Sequence, residues 1–416
     1  MATGTAASQA IVMVSSPFIT RLYGPAAYGI QGVFLSMVSI MATIAAMSYP
    51  IAIVLPKNDA DAAALGRLSV FIGIAMSLAA TIILFYLGPE ILVLLNAVDI
   101  LAFMYLIPLS MLISVFSAVM SQWLARKKAF TLTAKVTVCQ AFLTSLCKAG
   151  LGVVYPTAAV LVVTNTLTGL LSPILMLLGI CGSTERAKGN HINKKNLGVE
   201  SSTWAVASLY RDFPLLRTPQ VLMNAVSQSF PILLLASYFG STAAGHYSIA
   251  LSVLGVPAAL IGDSVMQVFY PRFNEAITIR QNAVALLTKA TFGMALLGIV
   301  PFAIVVILGP FLFEFVFGVG WRTAGEYAQW LAVWLFFAFI NRPAVSAIPV
   351  IRMQGALLVY EVLSVITRVV ALYIGFVILG SDIMSIASFS IVGCVLNCAL
   401  IYYVIQACRK ITISEG

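Results

Sequence analysis

The chain has 416 residues, of which 61% are hydrophobic and only 9% are charged, and its formal net charge is +9. Soluble domains carry about 25% charged residues, so this composition excludes a soluble globular protein. Apolar runs of about 20 residues, the length that crosses a membrane as a helix, recur along the chain. A spanning β-barrel would show alternating segments of about 10 residues instead. The sequence therefore predicts an all-α, polytopic membrane protein.

Twelve transmembrane helices are predicted, separated by short polar breaks. The first apolar run is a span and not a signal peptide, because no Lys or Arg precedes it and the first charged residue is Arg21. The apolar run 311–317 is too short to cross, so it lies at the interface or extends the ninth span. The predicted spans are 3–20, 28–54, 65–87, 101–123, 132–154, 158–181, 218–239, 243–270, 286–309, 327–349, 354–379 and 383–407.

The longest break, residues 182–217, is basic and rich in Gly, Ser and Asn, a composition typical of a linker. It divides the spans into an N-terminal lobe of six, residues 1–181, and a C-terminal lobe of six, residues 218–416. This division predicts two lobes of equal helix number.

The basic residues are distributed unequally between the two sets of breaks. Of the 23 Lys and Arg residues, 18 fall in breaks or at the adjoining span ends on one side, and only Arg21 and Arg322 fall on the other. Because basic loops stay in the cytoplasm, the richer side is cytoplasmic. Both termini and the 182–217 linker are then cytoplasmic, and the positive charge reports membrane topology and not a nucleic-acid partner.

Similar short motifs with Gly or Pro follow corresponding predicted spans in the two halves of the chain. Leu22-Tyr23-Gly24 follows the first span and Tyr238-Phe239-Gly240 follows the seventh; Leu55-Pro56 follows the second and Tyr270-Pro271 follows the eighth. Near-equal offsets favour a repeat, although Gly and Pro also punctuate unrelated helical turns. Six spans per copy is an even number, so the two repeats are parallel, a design that transporters use.

Five charged residues lie at least six residues from either end of a predicted span, at a depth where a charge costs about 2.5 to 3.5 kcal/mol and normally faces a cavity or a partner. Arg368 lies near the midplane of the eleventh span, Arg342 in the inner half of the tenth, and Lys148 toward the outer side of the fifth. A cationic cavity lined by these three residues would suit a phosphate-bearing substrate. Glu361 and Asp263 are the accompanying carboxylates, with coupling or structural roles.

A structural interpretation stays open for the same residues. Glu361 precedes Arg368 by two helical turns on one face, so the two could neutralise each other, and Lys148 could extend toward the membrane surface. Farther along the chain, Trp321, Trp330, Trp334 and Tyr327 are predicted to form an aromatic belt at the outer interface, in preference to a sugar-stacking platform.

No pattern typical of an enzyme occurs. The chain has only two histidines, His191 and His246, the loops are short, and no nucleotide-binding motif is present. The six cysteines show no spacing of a metal site or a disulfide framework. We therefore expect a transporter with no cofactor, no bound metal and no catalytic residue.

Four motifs together resemble a known family. They are SPFITRLYGP (16–25), AIVLP (52–56), YRDFP (210–214) and VFYPR (268–272). Over almost the whole chain they are similar to the polysaccharide flippases of O-antigen and capsule synthesis, in the multidrug/oligosaccharidyl-lipid/polysaccharide exporter superfamily. Members usually carry further residues, some of them basic, before the first span, so the resemblance implies a native start upstream of Met1.

The resemblance implies a flippase in the bacterial inner membrane. Its substrate is an oligosaccharide on undecaprenyl diphosphate, moved to the periplasmic leaflet by alternating access, with the phosphates and sugars in the cationic cavity. Membrane lipid, a coupling ion (H⁺ or Na⁺), a polysaccharide polymerase and chain-length proteins are the implied partners. An ion-coupled drug antiporter of the same superfamily is the alternative, although antiporters rely on membrane carboxylates and here basic residues dominate.

Overall fold

Helices form almost the whole described chain, as the apolar runs predict. The computed structural model describes residues 2–94, 96–187, 203–279, 282–351 and 353–414, and these residues include no strand. In chain order the helices are α1 (Ala2–Leu22), α2 (Pro25–Ala45), α3 (Tyr49–Ala52), α4 (Asp59–Leu94), α5 (Leu106–Arg126), α6 (Phe130–Val154), α7 (Ala158–Ala187), α8 (Thr203–Leu209), α9 (Thr218–Thr278), α10 (Ala283–Phe317), α11 (Arg322–Ile340), α12 (Arg342–Ala347), α13 (Gln354–Leu379) and α14 (Asp382–Ser414).

Ten helical segments in the described ranges are long and apolar enough to cross a membrane. One of them, Phe213–Ile277, contains both the seventh and the eighth predicted spans. Gly240 separates these two spans, because its φ of 85° and ψ of 173° are not helical and its positive φ favours glycine. The all-α polytopic class is therefore confirmed, and one of the predicted breaks is a single residue within α9.

The first predicted span forms α1, which is not among those ten segments. Its 21 residues would reach about 31 Å at 1.5 Å per residue, so its length suffices. Its Ser and Thr residues make it the more polar exception. The run 311–317 continues α10 without a break, so the prediction that it extends the ninth span is confirmed.

The described residues group into two compact units, Met1–Ala244 (unit 1) and Gly245–Gly416 (unit 2). The seventh predicted span, residues 218–239, groups with unit 1, whereas the sequence assigned it to the C-terminal lobe. Of the predicted linker, residues 188–202 lie outside the described residues. The six-plus-six lobes, the parallel repeat and the sidedness of the loops stay predictions.

In unit 1, the helix of the second predicted span is interrupted between α2 and α3. Met47 and Ser48 adopt left-handed backbone conformations, with φ of 45° and 56°. The Thr218 hydroxyl lies 3.0 Å from Ser48 Oγ, and Tyr49 donates a hydrogen bond to the Ala207 carbonyl at 3.4 Å. A backbone carbonyl of α8 and a side chain of α9 thus contact the interruption.

The connection that follows α3 is held by Arg126, at the end of α5. Its guanidinium donates to the Pro56 carbonyl at 2.6 Å and to the Ile53 carbonyl at 3.2 Å. It also pairs with Asp59 at 2.9 Å, and Lys127 pairs with the same carboxylate at 2.5 Å. One buried arginine therefore satisfies several carbonyls that α3 leaves without helical partners.

In unit 2, small residues bring helices into close contact. A Cβ at Gly309 would lie 2.7 Å from the Gly325 carbonyl oxygen, so α10 and α11 touch through their backbones. A Cβ at Gly375 would likewise lie 2.5 Å from Cα of Ser385, where α13 meets α14. Close approach at small residues is the usual packing of membrane helices. These contacts fix the helices that carry the candidate site.

Candidate functional site

Arg368 of α13 stacks on two aromatic rings. Its Cζ lies 4.9 Å from the ring centroid of Trp334 on α11 and 5.7 Å from that of Phe389 on α14. The two rings meet edge to face, with centroids 5.2 Å apart. A guanidinium over aromatic faces is stabilised by cation–π attraction, more strongly where water is excluded. Three helices of unit 2 therefore converge on this arginine.

Two donor atoms at this stack lack protein partners. Arg368 Nε and Trp334 Nε1 are buried without a hydrogen bond. Tyr247 and Tyr360 lie near the guanidinium, and the Tyr360 hydroxyl is within hydrogen-bonding reach of it. A buried donor left unpaired costs about 1–3 kcal/mol. The cluster, which we call the Arg368 cluster (Arg368, Trp334 and Phe389), can thus donate to a ligand rich in acceptor oxygens.

Glu361 does not neutralise Arg368. Both residues lie on α13, as predicted, but Glu361 is exposed and no ion pair joins it to Arg368 within the part of the chain that the structure describes. The interpretation that the two form a structural pair is therefore wrong. No carboxylate within the described ranges therefore balances the positive charge of Arg368 at close range.

Arg342 does have a carboxylate partner. At the start of α12 it forms a hydrogen-bonded ion pair with Asp263 of α9, and the side chains are 31% and 68% exposed. Its guanidinium lies against the backbone of Gly262, where an added Cβ would be 2.5 Å from Arg342 Cδ and 2.8 Å from Cζ. The structure thus brings together two of the predicted site residues, which the sequence had not paired.

A buried amide pair holds the helix end that presents Arg342. Asn341 donates from Nδ2 to Asn397 Oδ1 at 2.8 Å, and Asn397 donates to the Gly393 carbonyl at 2.7 Å. Both side chains are buried, and Asn341 directly precedes Arg342. The sequence analysis missed this pair, although two buried Asn residues in apolar spans were a signal that could have identified it.

Lys148 belongs to unit 1, whereas the other four predicted site residues belong to unit 2. It lies in α6, partly buried, and its carbonyl accepts a hydrogen bond from the Tyr23 hydroxyl at 2.8 Å. Among the described residues no ion pair involves its ammonium group. Its role as part of a cationic cavity stays a prediction.

The predicted aromatic belt is wrong for two of its members. Trp321 is 2% exposed and Tyr327 is 0% exposed, so neither can face the lipid interface. Trp334, a third member, contacts Arg368. Trp321 directly precedes α11 and Tyr327 lies in its second turn, whereas Trp334 lies past its middle; the hydropathy pattern could not show that these residues face other helices.

Comparisons with known proteins identify relatives of the chain. The family model described as "Polysaccharide biosynthesis protein" matches residues 18–326. The chain is similar to a solved inward-facing multidrug resistance MATE family transporter of the MOP superfamily, with a TM-score of 0.74 and 13% identity over 99% of this chain and 96% of that one. No curated protein sequence matches it.

Two further solved structures share the fold. The lipid II flippase MurJ in an inward closed conformation has a TM-score of 0.72 and 14% identity, over 99% of this chain and 89% of that chain. The MATE transporter VcmN of Vibrio cholerae has a TM-score of 0.55 and 17% identity, over 100% of this chain and 95% of that chain. At these identities the likeness establishes the fold alone.

Proposed function

The chain belongs to the polysaccharide biosynthesis protein family, and we propose that it is a flippase for an oligosaccharide linked to undecaprenyl diphosphate. It moves this repeat unit from the cytoplasmic to the periplasmic leaflet of a bacterial inner membrane by alternating access. The product then serves O-antigen, capsule or exopolysaccharide synthesis. The family membership and the fold shared with a lipid flippase support this proposal, and the basic loops support cytoplasmic termini.

The Arg368 cluster is the observation that carries the proposal. A partly buried guanidinium in an apolar helix, with an unpartnered Nε and no carboxylate in contact, is costly unless a ligand compensates it. A diphosphate supplies anionic acceptor oxygens that a guanidinium binds well. The stacked aromatic rings would also accept the apolar face of a sugar. We therefore assign the phosphate and first sugar of the substrate to this cluster.

Arg342 and Lys148 have secondary roles in the proposal. Arg342 is half-exposed and already paired with Asp263, so it would exchange that carboxylate for a substrate phosphate during transport. Lys148 would add a mobile positive charge in unit 1. Among the described residues neither Arg368 nor Lys148 forms an ion pair, but stacking on Trp334 and Phe389 holds the guanidinium of Arg368 in place.

A drug antiporter is the second candidate, because the fold is shared with MATE transporters. Antiport of a cationic drug would need an unpaired carboxylate inside a span. Glu361 has no ion-pair partner among the described residues, but it is exposed on its helix. The unbalanced charge with defined geometry is Arg368, which favours an anionic substrate over a cationic one.

The experiment is deletion of the gene followed by analysis of surface polysaccharide and of lipid-linked intermediates. We expect loss of the surface polymer and accumulation of the lipid-linked repeat unit facing the cytoplasm. Complementation with wild type restores the polymer, and Arg368→Gln does not. Unchanged polysaccharide together with increased drug sensitivity in the deletion strain would establish the antiporter instead.

A matched control separates charge loss at the site from a general effect of removing an arginine. Arg322→Gln makes the same chemical change at an exposed residue that pairs with Glu314 at 3.1 Å. We expect this variant to complement fully at equal membrane abundance. If Arg368→Gln complements equally well, the Arg368 cluster does not bind the substrate.

A further inference from the structure

Unit 2 contains a second polar cluster, centred on His246, that the proposed function has not used. His246 lies near the start of the second helical segment of α9, and it is 7% exposed. Its imidazole meets Trp321 and Tyr327 edge to face, at centroid distances of 6.0 and 5.8 Å. The chain's other histidine, His191, lies outside the described residues.

One hydrogen bond fixes the protonation pattern of the ring. Nε2 of His246 lies 3.2 Å from the carbonyl oxygen of Gly320. A carbonyl oxygen can only accept, so Nε2 carries the hydrogen of this bond. The neutral ring therefore has its lone pair on Nδ1, and an incoming proton binds there.

A carboxylate of α14 acts on the same ring. Burial of the imidazole disfavours its charged form, and the Gly320 carbonyl and the negative charge of Asp382 oppose this effect. One Asp382 oxygen accepts a hydrogen bond from the Tyr327 hydroxyl, and the other accepts the backbone N–H of Ile383 at 2.8 Å. Tyr327 thus contacts both the imidazole and the carboxylate, and Asp382 is held where its negative charge stabilises an imidazolium.

Other ionisable groups lie on the neighbouring helices of unit 2. On α11, Glu326 interacts electrostatically with Tyr327, beside His246. On α10, Glu314 is engaged by Arg322. On α13, Arg368 acts on Tyr247, which follows His246 in the chain. Among the carboxylates named here, Asp382 is the one that accepts a hydrogen bond from Tyr327.

We propose that His246, Tyr327 and Asp382 form a proton-binding site. A proton from water adds to Nδ1 and converts the neutral imidazole to an imidazolium, whose charge is compensated by Asp382; release returns the same proton to water. No other bond is made or broken. If the protein is a flippase, as proposed above, this site makes H⁺ its coupling ion. The proposal that the site binds a proton rests only on the contacts of the cluster.

The protein connects this site to the Arg368 cluster through consecutive residues. His246 contacts Tyr327, while Tyr247 is buried and interacts electrostatically with Arg368. Protonation of His246 therefore acts on the same turn of α9 that meets the substrate-binding arginine. Coupling between two sites requires such a shared element, whose position both ligands bias.

Proton binding is tested by ¹³C NMR of histidine-labelled full-length protein in detergent. The His191→Gln variant keeps only one histidine, so its remaining signal belongs to His246. We expect the His246 signal to titrate as the pH is lowered from about 8 to about 4, and Asp382→Asn to reduce its protonated fraction at a given pH. Glu275→Gln is the control, because Glu275 lies 29 residues farther along α9, about 43 Å at 1.5 Å per residue. A His246 signal that is constant over this range, or equal in both variants, overturns the proposal.

Coupling is tested in phosphatidylethanolamine–phosphatidylglycerol vesicles with a fluorescent disaccharide on undecaprenyl diphosphate. We expect an imposed pH gradient to raise the wild-type translocation rate several-fold, and His246→Gln to reduce this ratio to one, while Glu275→Gln keeps it. Wild-type translocation that ignores the gradient overturns proton coupling. No translocation by wild type under any condition overturns the proposed function, and the NMR titration still decides whether the site binds protons.

Discussion

The guanidinium of Arg368 lies over the indole of Trp334, with Cζ 4.9 Å from the ring centroid. The two residues come from different helices, α13 and α11, so the contact joins two elements of unit 2. Stacking holds the guanidinium plane while leaving Nε without a hydrogen-bond partner. The contact therefore orients both the positive charge and the Nε–H donor of the guanidinium. A lysine ammonium group on its flexible side chain would not be oriented in this way.

Arg368→Lys should reduce transport but not abolish it. Lysine keeps the charge, but it lacks the plane that stacks on Trp334 and the paired donors that match a phosphate. We expect a loss of about tenfold, equivalent to about 1.4 kcal/mol, with Arg368→Gln losing all activity. Translocation rates at matched protein density measure both. Equal rates for Arg368→Lys and wild type would show that charge alone suffices.

Gly262→Ala should impair transport without unfolding the protein. The added Cβ would lie 2.5 Å from Arg342 Cδ, so the flexible arginine side chain must move while the helix stays intact. Gly255→Ala is the matched control, because a Cβ there meets no atom within 4 Å. If the two variants transport equally and both match wild type, the position of Arg342 does not matter to transport.

Asp263→Asn should leave stability almost unchanged. The Asp263 side chain is 68% exposed, and exposed ion pairs contribute only about 0–1 kcal/mol. Arg342→Gln should be equally stable but should lose transport, because it removes the charge that the substrate uses. Thermal unfolding in detergent and a translocation assay on the same preparations test this difference. A large loss of stability in Asp263→Asn would show instead that the pair is structural.

Arg126→Gln should destabilise unit 1 more than Lys127→Gln does. The Arg126 side chain is 10% exposed and donates to backbone carbonyls as well as to Asp59. Its loss leaves those acceptors unsatisfied, at about 1–3 kcal/mol. Lys127 is 47% exposed and pairs only with the same carboxylate, so its loss should cost at most about 1 kcal/mol. Denaturant midpoints compare the two, and equal midpoints would contradict the assignment.

Gly325→Ala should destabilise unit 2 by overpacking. A Cβ there would lie 2.5 Å from Cα of Pro310, so two backbones would have to separate, at about 1–3 kcal/mol. Gly293→Ala, on the same helix as Pro310, meets no atom within 4 Å and should instead gain about 0.5–1 kcal/mol from helix propensity. Thermal unfolding of both variants in one detergent measures the difference, and similar midpoints would refute close packing at Gly325.

The sequence predicted the helices well, because length and hydropathy decide them. It gave the extension of α10 over 311–317 as one of two alternatives, and it placed a turn at Gly240. It did not predict that α9 continues through this turn with one non-helical residue, since a single positive φ at glycine leaves no signature different from a loop. The sequence analysis accepted residues 3–20 as a span because of their length. The Ser and Thr residues that make α1 more polar than the other spans were visible in the sequence but were not weighed.

The candidate site was predicted residue by residue but not as a set of contacts. Charges inside spans identified Arg368 and Arg342 because each is costly in an apolar helix. Their partners come from other helices: Asp263 is 79 residues before Arg342, a separation that no helical period reports. For the same reason the sequence paired Arg368 with Glu361 on its own helix, and it missed Trp334, Phe389 and the His246 cluster.

The interruption between α2 and α3 has a mechanical consequence. Two non-glycine residues, Met47 and Ser48, hold left-handed conformations, each of which costs about 1–3 kcal/mol. The segment therefore has a strained backbone, and the contact between Ser48 and Thr218 helps to hold that conformation. The Ser48 hydroxyl is held by a residue 170 positions later in the chain, so the conformation of this segment depends on the start of α9 as well as on its own sequence.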